Sequence, residues 1–354
     1  MTDAELGEKL ASRTLELCQI QSPIGSEAAI ATLVAEQGAR SFREVQRLGN
    51  SVVLGRVAGA RQSLVLLGHL DTVPLQDGDF PARREGGRVY GRGASDMKGA
   101  LAVMLELGER LKETALDLIL VFYDREEGPY DQNGLGPLLE ARPDLRNATL
   151  ALCLEPTDLA LQVGCCGALH ATLTFQGRSA HSARPWQGEN AVHKAGALLD
   201  YLKTLAPREV RFGELTYREV MSITRIEGFT GRNVVPARCD LNLNYRFAPG
   251  RTIEDAAREI EALALRFGAG CSVTDRSPAG PVVLDNPLVQ RLRAVTGLPV
   301  EPKQAWTDVA RLGLAGIPAA NFGPGDQAQA HQRNESCPED ALLKAYRMLE
   351  ALLQ

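Results

Sequence analysis

The stretch that most constrains the fold is Leu64–Pro74, LVLLGHLDTVP, where a continuous apolar run stops at Gly68 and passes into His69, Leu70 and Asp71. An apolar run of that length, bounded by glycine and proline, predicts a strand buried on both faces, as in a parallel sheet covered by helices. Two further runs have the same form. Leu116–Tyr123 ends in Asp124-Arg125-Glu126-Glu127-Gly128, and Ala148–Leu154 ends in Glu155-Pro156. Between the first two, Ala94-Ser95-Asp96-Met97-Lys98-Gly99 leads into an apolar helix from Ala100 to Leu111. Buried strands that alternate with helices and close on charged or imidazole side chains predict a doubly wound α/β sheet with a site along its carboxyl edge. Towards the amino end, Glu5–Leu17 and Glu27–Gly38 have helical spacing, with Ser26 as N-cap of the second, and Ser51–Val57 reads as a strand.

The pattern changes near Gly167. Leu169–Phe175 alternates apolar and polar residues, Glu189–Leu202 is helical, Val220–Glu227 and Ala237–Phe247 are strands, Ile253–Phe267 is helical and Cys271–Asp275 is a short strand. That β-α-β-β-α-β order belongs to a ferredoxin-like α+β unit, and its alternation predicts a sheet with one face under helices and the other left for a partner subunit. After Pro278 the earlier character returns, at Asp308–Leu314, at Ala319–Phe322 and in a last helix opened by Pro338. The expected organisation is a catalytic domain made from residues 1–166 and 277–354, interrupted by an inserted domain at 167–276. A chain of 354 residues has the length for two such domains.

Composition removes several function classes. With 39 Lys and Arg against 44 Asp and Glu, a net charge of -5 and no block of basic residues, nucleic acid is not an expected partner. The amino end is charged and amphipathic, and no run of about eighteen apolar residues occurs, so no membrane span and a cytoplasmic location are expected. The seven cysteines are scattered without a CxxC pair and read as reduced, mostly buried thiols.

The polar residues at the strand ends are His69, Asp96, Glu127 and Glu155, joined in the carboxy-terminal part by His331 after the turn Gly323-Pro324-Gly325-Asp326. Two imidazoles and three carboxylates can hold two zinc ions about 3.5–4 Å apart if one carboxylate bridges. Zinc is preferred to magnesium because imidazole suits it. Asp71, two residues beyond His69 on the same strand, is placed to accept the second N–H of that imidazole. Blander readings compete. His-x-Asp also fits a histidine satisfied at a strand end, and adjacent glutamates often form a solvated turn; the recurrence of acidic strand ends favours the metal. His193, on an apolar helix face, and His170, on an alternating strand, read as packed, and Trp306 as a structural aromatic. Gly91-Arg92-Gly93 lacks the third glycine of a dinucleotide loop.

GHLDTVP, GRGASDMKG, REEGP, LEPTD and AHQRNE, in this order, resemble the di-zinc aminoacylase, carboxypeptidase and desuccinylase family, and the resemblance runs through nearly the whole chain. It implies a zinc-hydrolase catalytic domain with an inserted dimerisation, or lid, domain. It also implies two zinc ions per subunit, with cobalt possible at one site: one metal on His69 and Glu155, the other on Glu127 and His331, and Asp96 bridging. Glu126 would be the general base, Asp71 would orient His69, His181 would stabilise the tetrahedral oxyanion, and Asn233 and Arg246 would bind substrate. The Asp96–Met97 peptide would be cis. Because His181 belongs to the domain without metal ligands, and alternating strands leave that domain an edge suited to twofold pairing, a homodimer is expected in which His181 serves the other subunit.

Within the family, GRSAHSARPWQGENAVHKA and AWTDVARLGLAGIPAANFGPGD resemble the branch that removes succinate from N-succinyl-LL-2,6-diaminopimelate. The implied reaction is metal-dependent hydrolysis of that amide to succinate and LL-diaminopimelate, in lysine and cell-wall precursor synthesis. The Gly-Pro-Gly turn before Ala330-His331 also resembles the branch that deacetylates N-acetylornithine, so a related N-acyl amino acid is the alternative small-molecule substrate. A non-catalytic dimeric binding module is the alternative of another class, and retention of every ligand together with Glu126 and His181 argues against it. One departure stands out: enterobacterial desuccinylases carry Gly-Arg-Arg-Gly where this chain has Gly164-Cys165-Cys166-Gly167. Arg178, Arg184 and Arg232 are the forked donors left to meet a substrate carboxylate.

Overall fold

The computed structural model describes residues 1–354 other than Lys112 and Phe229, and it contains two compact units. One comprises Met1–Gly164, Val283–Glu301 and Arg311–Gln354; the other comprises Cys165–Val282 and Pro302–Ala310. The expected insertion at 167–276 lies inside the second unit, which also takes in Pro302–Ala310, a segment expected in the catalytic domain. Long-range hydrogen bonds explain that placement. Cys166 N–H donates to the Lys303 carbonyl at 3.1 Å, Arg218 N–H to Gln304 Oε1 at 3.2 Å, and Trp306 Nε1 to the Pro278 carbonyl at 3.0 Å.

In the first unit, Ser63–His69 is buried along its whole length and runs parallel to Asp117–Tyr123 on one side and Leu150–Cys153 on the other. Ala319–Asn321 continues the parallel set beyond Leu150–Cys153. Antiparallel strands flank this core: Ser51–Leu54 and then Val45–Leu48 at one edge, Leu161–Val163 at the other with Val300–Pro302 outermost. The apolar run breaks at Gly68 for a packing reason. A Cβ there would lie 2.5 Å from Leu101 Cδ2, so the buried helix Gly99–Arg110 rests directly on the strand. Each fully buried leucine of that strand contributes about 1.5–3 kcal/mol. Helix Asp3–Gln19 opens with a capping box between Thr2 and Glu5, and the last helix, Glu339–Leu353, starts after Pro338 as expected. Ser26 does not cap Ala28–Gly38. The buried Glu27 occupies that position, and its carboxylate accepts instead from Gly25 N–H at 2.7 Å and Asn50 Nδ2 at 3.3 Å.

The second unit is an antiparallel sheet in the order Arg208–Phe212, Leu215–Glu227, Arg238–Phe247, Gly167–Gln176, Gly270–Ser277. The last four are the ferredoxin-like set, and Arg208–Phe212 is an added hairpin strand. Leu169, Leu173, Leu241 and Phe247 pack on Ala195, Leu198, Ile260 and Leu263 of helices Ala191–Thr204 and Ile253–Arg266. The alternate residues, among them His170, Asn242 and Asn244, form a polar face in which both asparagine amides meet the His170 ring. His193 is exposed rather than packed, because the apolar stripe of its helix runs through Ala191, Ala195 and Leu198. A buried ionic cluster closes one corner: Glu219 accepts from Ala248 N–H at 2.9 Å, and Arg208, Arg251, Tyr245 and Glu259 surround it. Among the described residues the seven cysteines are free thiols, and no helix is long and apolar enough to cross a membrane.

Candidate metal centre

Strand register brings the site together. His69 pairs with Tyr123, so those two strands end level, while Leu150–Cys153 ends opposite Leu67, two residues earlier; Glu127 follows one neighbour and Glu155, 7% exposed, follows the other. His69, Asp96 and Glu127 offer ligand atoms within 4.8 Å of one another. His69 Nε2 is 3.0 Å from Asp96 Oδ1, and His331 Nε2 lies 3.6 Å from Asp96 Oδ2 and 2.9 Å from Glu127 Oε1. Asp96 therefore presents one oxygen to each imidazole, the disposition a bridging carboxylate needs. The Asp96–Met97 peptide is cis, as expected.

Asp71 orients His69 by a different route from the one expected. The strand ends at His69, so two-residue periodicity does not carry the Asp71 side chain to the ring. The Asp71 backbone carbonyl accepts from His69 Nδ1 at 3.0 Å, whereas its carboxylate Oδ1 stands 3.7 Å away. With Nδ1 donating to that carbonyl, Nε2 is the ring nitrogen turned to Asp96, 3.0 Å from Oδ1. The Asp71 carboxylate accepts instead from Glu126 N–H at 3.0 Å and Glu127 N–H at 2.9 Å, so one residue holds both the imidazole and the glutamate turn.

The Gly-Pro-Gly turn has a steric reason as well. A Cβ on Gly323 would lie 2.4 Å from the carbonyl oxygens of Leu154 and Glu155, and one on Gly325 would lie 2.3 Å from that of Ser95. The turn is wedged against the backbone of both Glu155 and the residue before Asp96, where no side chain fits. Three buried polar residues escaped sequence reasoning: Asp79, Arg92 and Glu335, which lie behind the Asp96 turn. Arg92 and Glu335 fall inside the motifs GRGASDMKG and AHQRNE, and that was their only signal.

Burial works against a charge on His69, yet Asp96, Asp71 and Glu126 hold its imidazole well above the usual histidine range. The hydrogen bond that His331 gives to the Glu127 carboxylate, aided by Asp96 and opposed by partial burial, likewise raises His331. Both rings are drawn toward a proton by an excess of carboxylate charge. A divalent cation answers that same excess, and imidazole with carboxylate is a donor set suited to zinc, so these residues fit a metal.

The candidate substrate residues belong to the second unit. His181 lies on a two-residue ladder, Ala180–His181 with Val234–Val235, and Ser182 N–H donates to the Asn233 carbonyl at 2.9 Å. His181 Nδ1 accepts from Ala183 N–H at 3.1 Å, which puts the ring proton on the outward Nε2. Arg184, Arg232 and Asn233 are exposed beside it. Arg178 is turned to the Gln187 carbonyl and Glu189, and Arg246 donates to Asn244 Oδ1 at 3.1 Å, so the arginines do not converge on one point within the unit. Cys165 and Cys166 are fully buried, with thiols pushed up by desolvation, to about 12 for Cys166.

The profile of peptidase family M20/M25/M40 matches residues 65–354. A Mycobacterium tuberculosis protein provisionally named succinyl-diaminopimelate desuccinylase DapE is 40% identical over 343 residues, covering 96% of each chain. Succinyl-diaminopimelate desuccinylase of Corynebacterium glutamicum is 37% identical over 350 residues, 94% of each. The fold is shared with aminopeptidase PepT of Bacillus cereus, at a TM-score of 0.76 and 19% identity over 98% of both chains. With the match running from the His69 strand to the carboxyl end, the chain belongs to peptidase family M20/M25/M40.

Proposed function

We propose that the protein is a metal-dependent amidohydrolase that cleaves N-succinyl-LL-2,6-diaminopimelate to succinate and LL-diaminopimelate. The observation that carries the reading is Asp96, which presents one carboxylate oxygen to each of two imidazoles beside the Glu126–Glu127 turn. The names of the relatives with 40% and 37% identity support the substrate. His69 and Glu155 would hold one zinc, Glu127 and His331 the other, and Asp96 both. Two such ions supply Lewis acidity toward an amide carbonyl and a water.

Glu126 is assigned the proton transfers. Its carboxylate takes a proton from water as the water oxygen attacks the amide carbon, and returns that proton to the nitrogen as the C–N bond breaks. The Asp71 clamp on the Glu126 N–H fixes the base of that side chain. His181, with its ring proton on Nε2, donates to the developing oxyanion, and we assign it to the opposite subunit of a homodimer paired through the second unit. The exposed Arg184 and Arg232, with Asn233 and Arg246, are assigned to the substrate carboxylates; Arg178 would first have to leave Glu189. Buried thiols at Cys165 and Cys166 exclude that pair from this recognition.

Zinc-loaded protein offered N-succinyl-LL-diaminopimelate, N-acetylornithine and N-acetyl-leucine should prefer the first by about 10²-fold or more in kcat/KM, because cationic donors left unpaired reject the others. Faster turnover of N-acetylornithine would transfer the assignment to the deacetylase branch.

A further inference from the structure

We propose that Glu335 is a positioning residue that locks the turn carrying Asp96 onto the loop carrying His331, and so sets the spacing of two ligands meant for the same metal. The proposal rests on the ligand assignment made under Proposed function. The Glu335 carboxylate is 1% exposed and receives four donors. Oε1 accepts from Ser95 N–H and Asp96 N–H, each at 2.9 Å, and Oε2 from Gly93 N–H at 2.9 Å and Arg92 Nη1 at 3.1 Å. Its backbone carbonyl takes Gly91 N–H at 3.0 Å. One residue thus satisfies the amides of residues 91, 93, 95 and 96.

The turn is a single irregular helical turn, closed by backbone bonds from Ala94 N–H to the Gly91 carbonyl and from Lys98 N–H to the Gly93 carbonyl. Asp96 and Met97 leave helical φ/ψ within it, so the Asp96 N–H relies on Glu335. The turn cannot slide, because Gly93 stands at φ +82° and a Cβ there would meet Thr72 Cγ2 at 2.7 Å. Arg92 donates from Nε to Asp79 Oδ2 at 3.0 Å, with Nη2 in ion-pair contact at 2.7 Å, so one guanidinium is shared by the buried carboxylates of Asp79 and Glu335 and anchors the clamp to a third segment. On its other side Glu335 lies four residues beyond His331, immediately before Ser336–Pro338, which pairs with Arg88–Tyr90. His331 and Asn334, at the two ends of the intervening loop, adopt left-handed φ. A carboxylate is required. The NH₂ of a glutamine would replace either Oε1, facing the Ser95 and Asp96 N–H groups, or Oε2, facing Gly93 N–H and the Arg92 guanidinium, and each orientation places donor against donor in a buried site.

The test compares Glu335→Gln with His331→Ala, using zinc titration, metal stoichiometry after dialysis, and the visible d–d spectrum of cobalt-loaded protein. His331→Ala should reduce retained metal. Glu335→Gln should weaken the more loosely held metal about 10–100-fold and shift the cobalt spectrum, with far-UV circular dichroism unchanged. If His331→Ala binds metal like the parent, the ligand assignment has failed and the clamp falls with it. If His331→Ala loses metal while folded Glu335→Gln keeps parental affinity and spectrum, the clamp alone is overturned. Amide exchange in the parent serves whether or not the variant folds. After chelation of metal, the amides of Gly93, Ser95 and Asp96 should exchange as slowly as in zinc-loaded protein, and exchange at the rate of an open loop overturns the proposal.

Discussion

The two units treat their polar side chains in opposite ways. In the first, His69, Asp71 and Asp96 are buried, and backbone amides or carbonyls fix His69, Asp71 and the Asp96 turn. In the second, His181, Arg184, Arg232 and Asn233 are exposed on short segments, and His181 is held by one neighbouring amide. The contrast fits what each set is proposed to grip. Ligands for a small cation have to be placed before it arrives, because a misaimed donor is a lost bond. Groups that close on a flexible organic substrate stay hydrated until substrate displaces the water.

The sharpest way to break that contrast is to remove a group from each set and read metal and turnover separately. Glu126→Gln should lower kcat about 10²–10⁴-fold while zinc content stays parental, because it removes a base and no ligand. Activity within tenfold of the parent would shift the base to another residue. His181→Ala should lower kcat about 10²–10³-fold, again with metal unchanged. Refolded in equal amounts with Glu126→Gln, it should recover roughly a quarter of parental activity if the histidine serves the opposite subunit. No recovery, with mixed dimers present, would confine His181 to its own chain.

Asp71→Asn tests the buried set more gently. The backbone carbonyl still holds His69, but the new amide can accept from only one of the Glu126 and Glu127 N–H groups. Zinc titration should show a loss of about 10–100-fold, and an unchanged affinity would show that the turn does not need its clamp. The smallest effect belongs to the ionic corner of the second unit. Burial pushes the Glu259 carboxyl up, but Tyr245, Arg251 and Arg208 hold it below the usual carboxylate range. A depressed value contributes stability above the unfolded pKa of about 4.3 and loses it as pH falls through the folded value. Because Glu259 is partly solvated, Glu259→Gln should cost only about 0.5–1 kcal/mol at pH 7, with the melting curves converging toward pH 2. A constant difference across that range would assign the effect to packing instead.

The units also differ in how much of them sequence reasoning could reach. The runs around His69, Tyr123 and Cys153 were legible because a strand buried on both faces permits only apolar residues, and its end is marked where polarity resumes. The alternation in Gly167–Gln176 and Arg238–Phe247 was legible for the complementary reason. Val45–Leu48 and Arg208–Phe212 were missed because edge strands with solvated side chains carry no pattern. The proposed ligands were visible as residue types at strand ends. Their supports were not: Asp71 reaches His69 through a carbonyl that every residue possesses, and Glu335 grips Ser95 and Asp96 through amides about 240 positions away.

Residue-for-residue pairing of Ser63–His69 with Asp117–Tyr123, and of Leu64–Leu67 with Leu150–Cys153, makes the length of that strand a caliper. One residue inserted before His69 would advance it about 3.3 Å and turn its ring to the opposite face of the sheet. That displacement is close to the whole separation of a paired-metal centre, about 3.5–4 Å. Turns at the far side of the sheet can lengthen or shorten across a lineage without moving a ligand. The seven positions from Ser63 to His69 can change only by exchange of side chains, so insertions and deletions among descendants of this chain should stop at the borders of that strand.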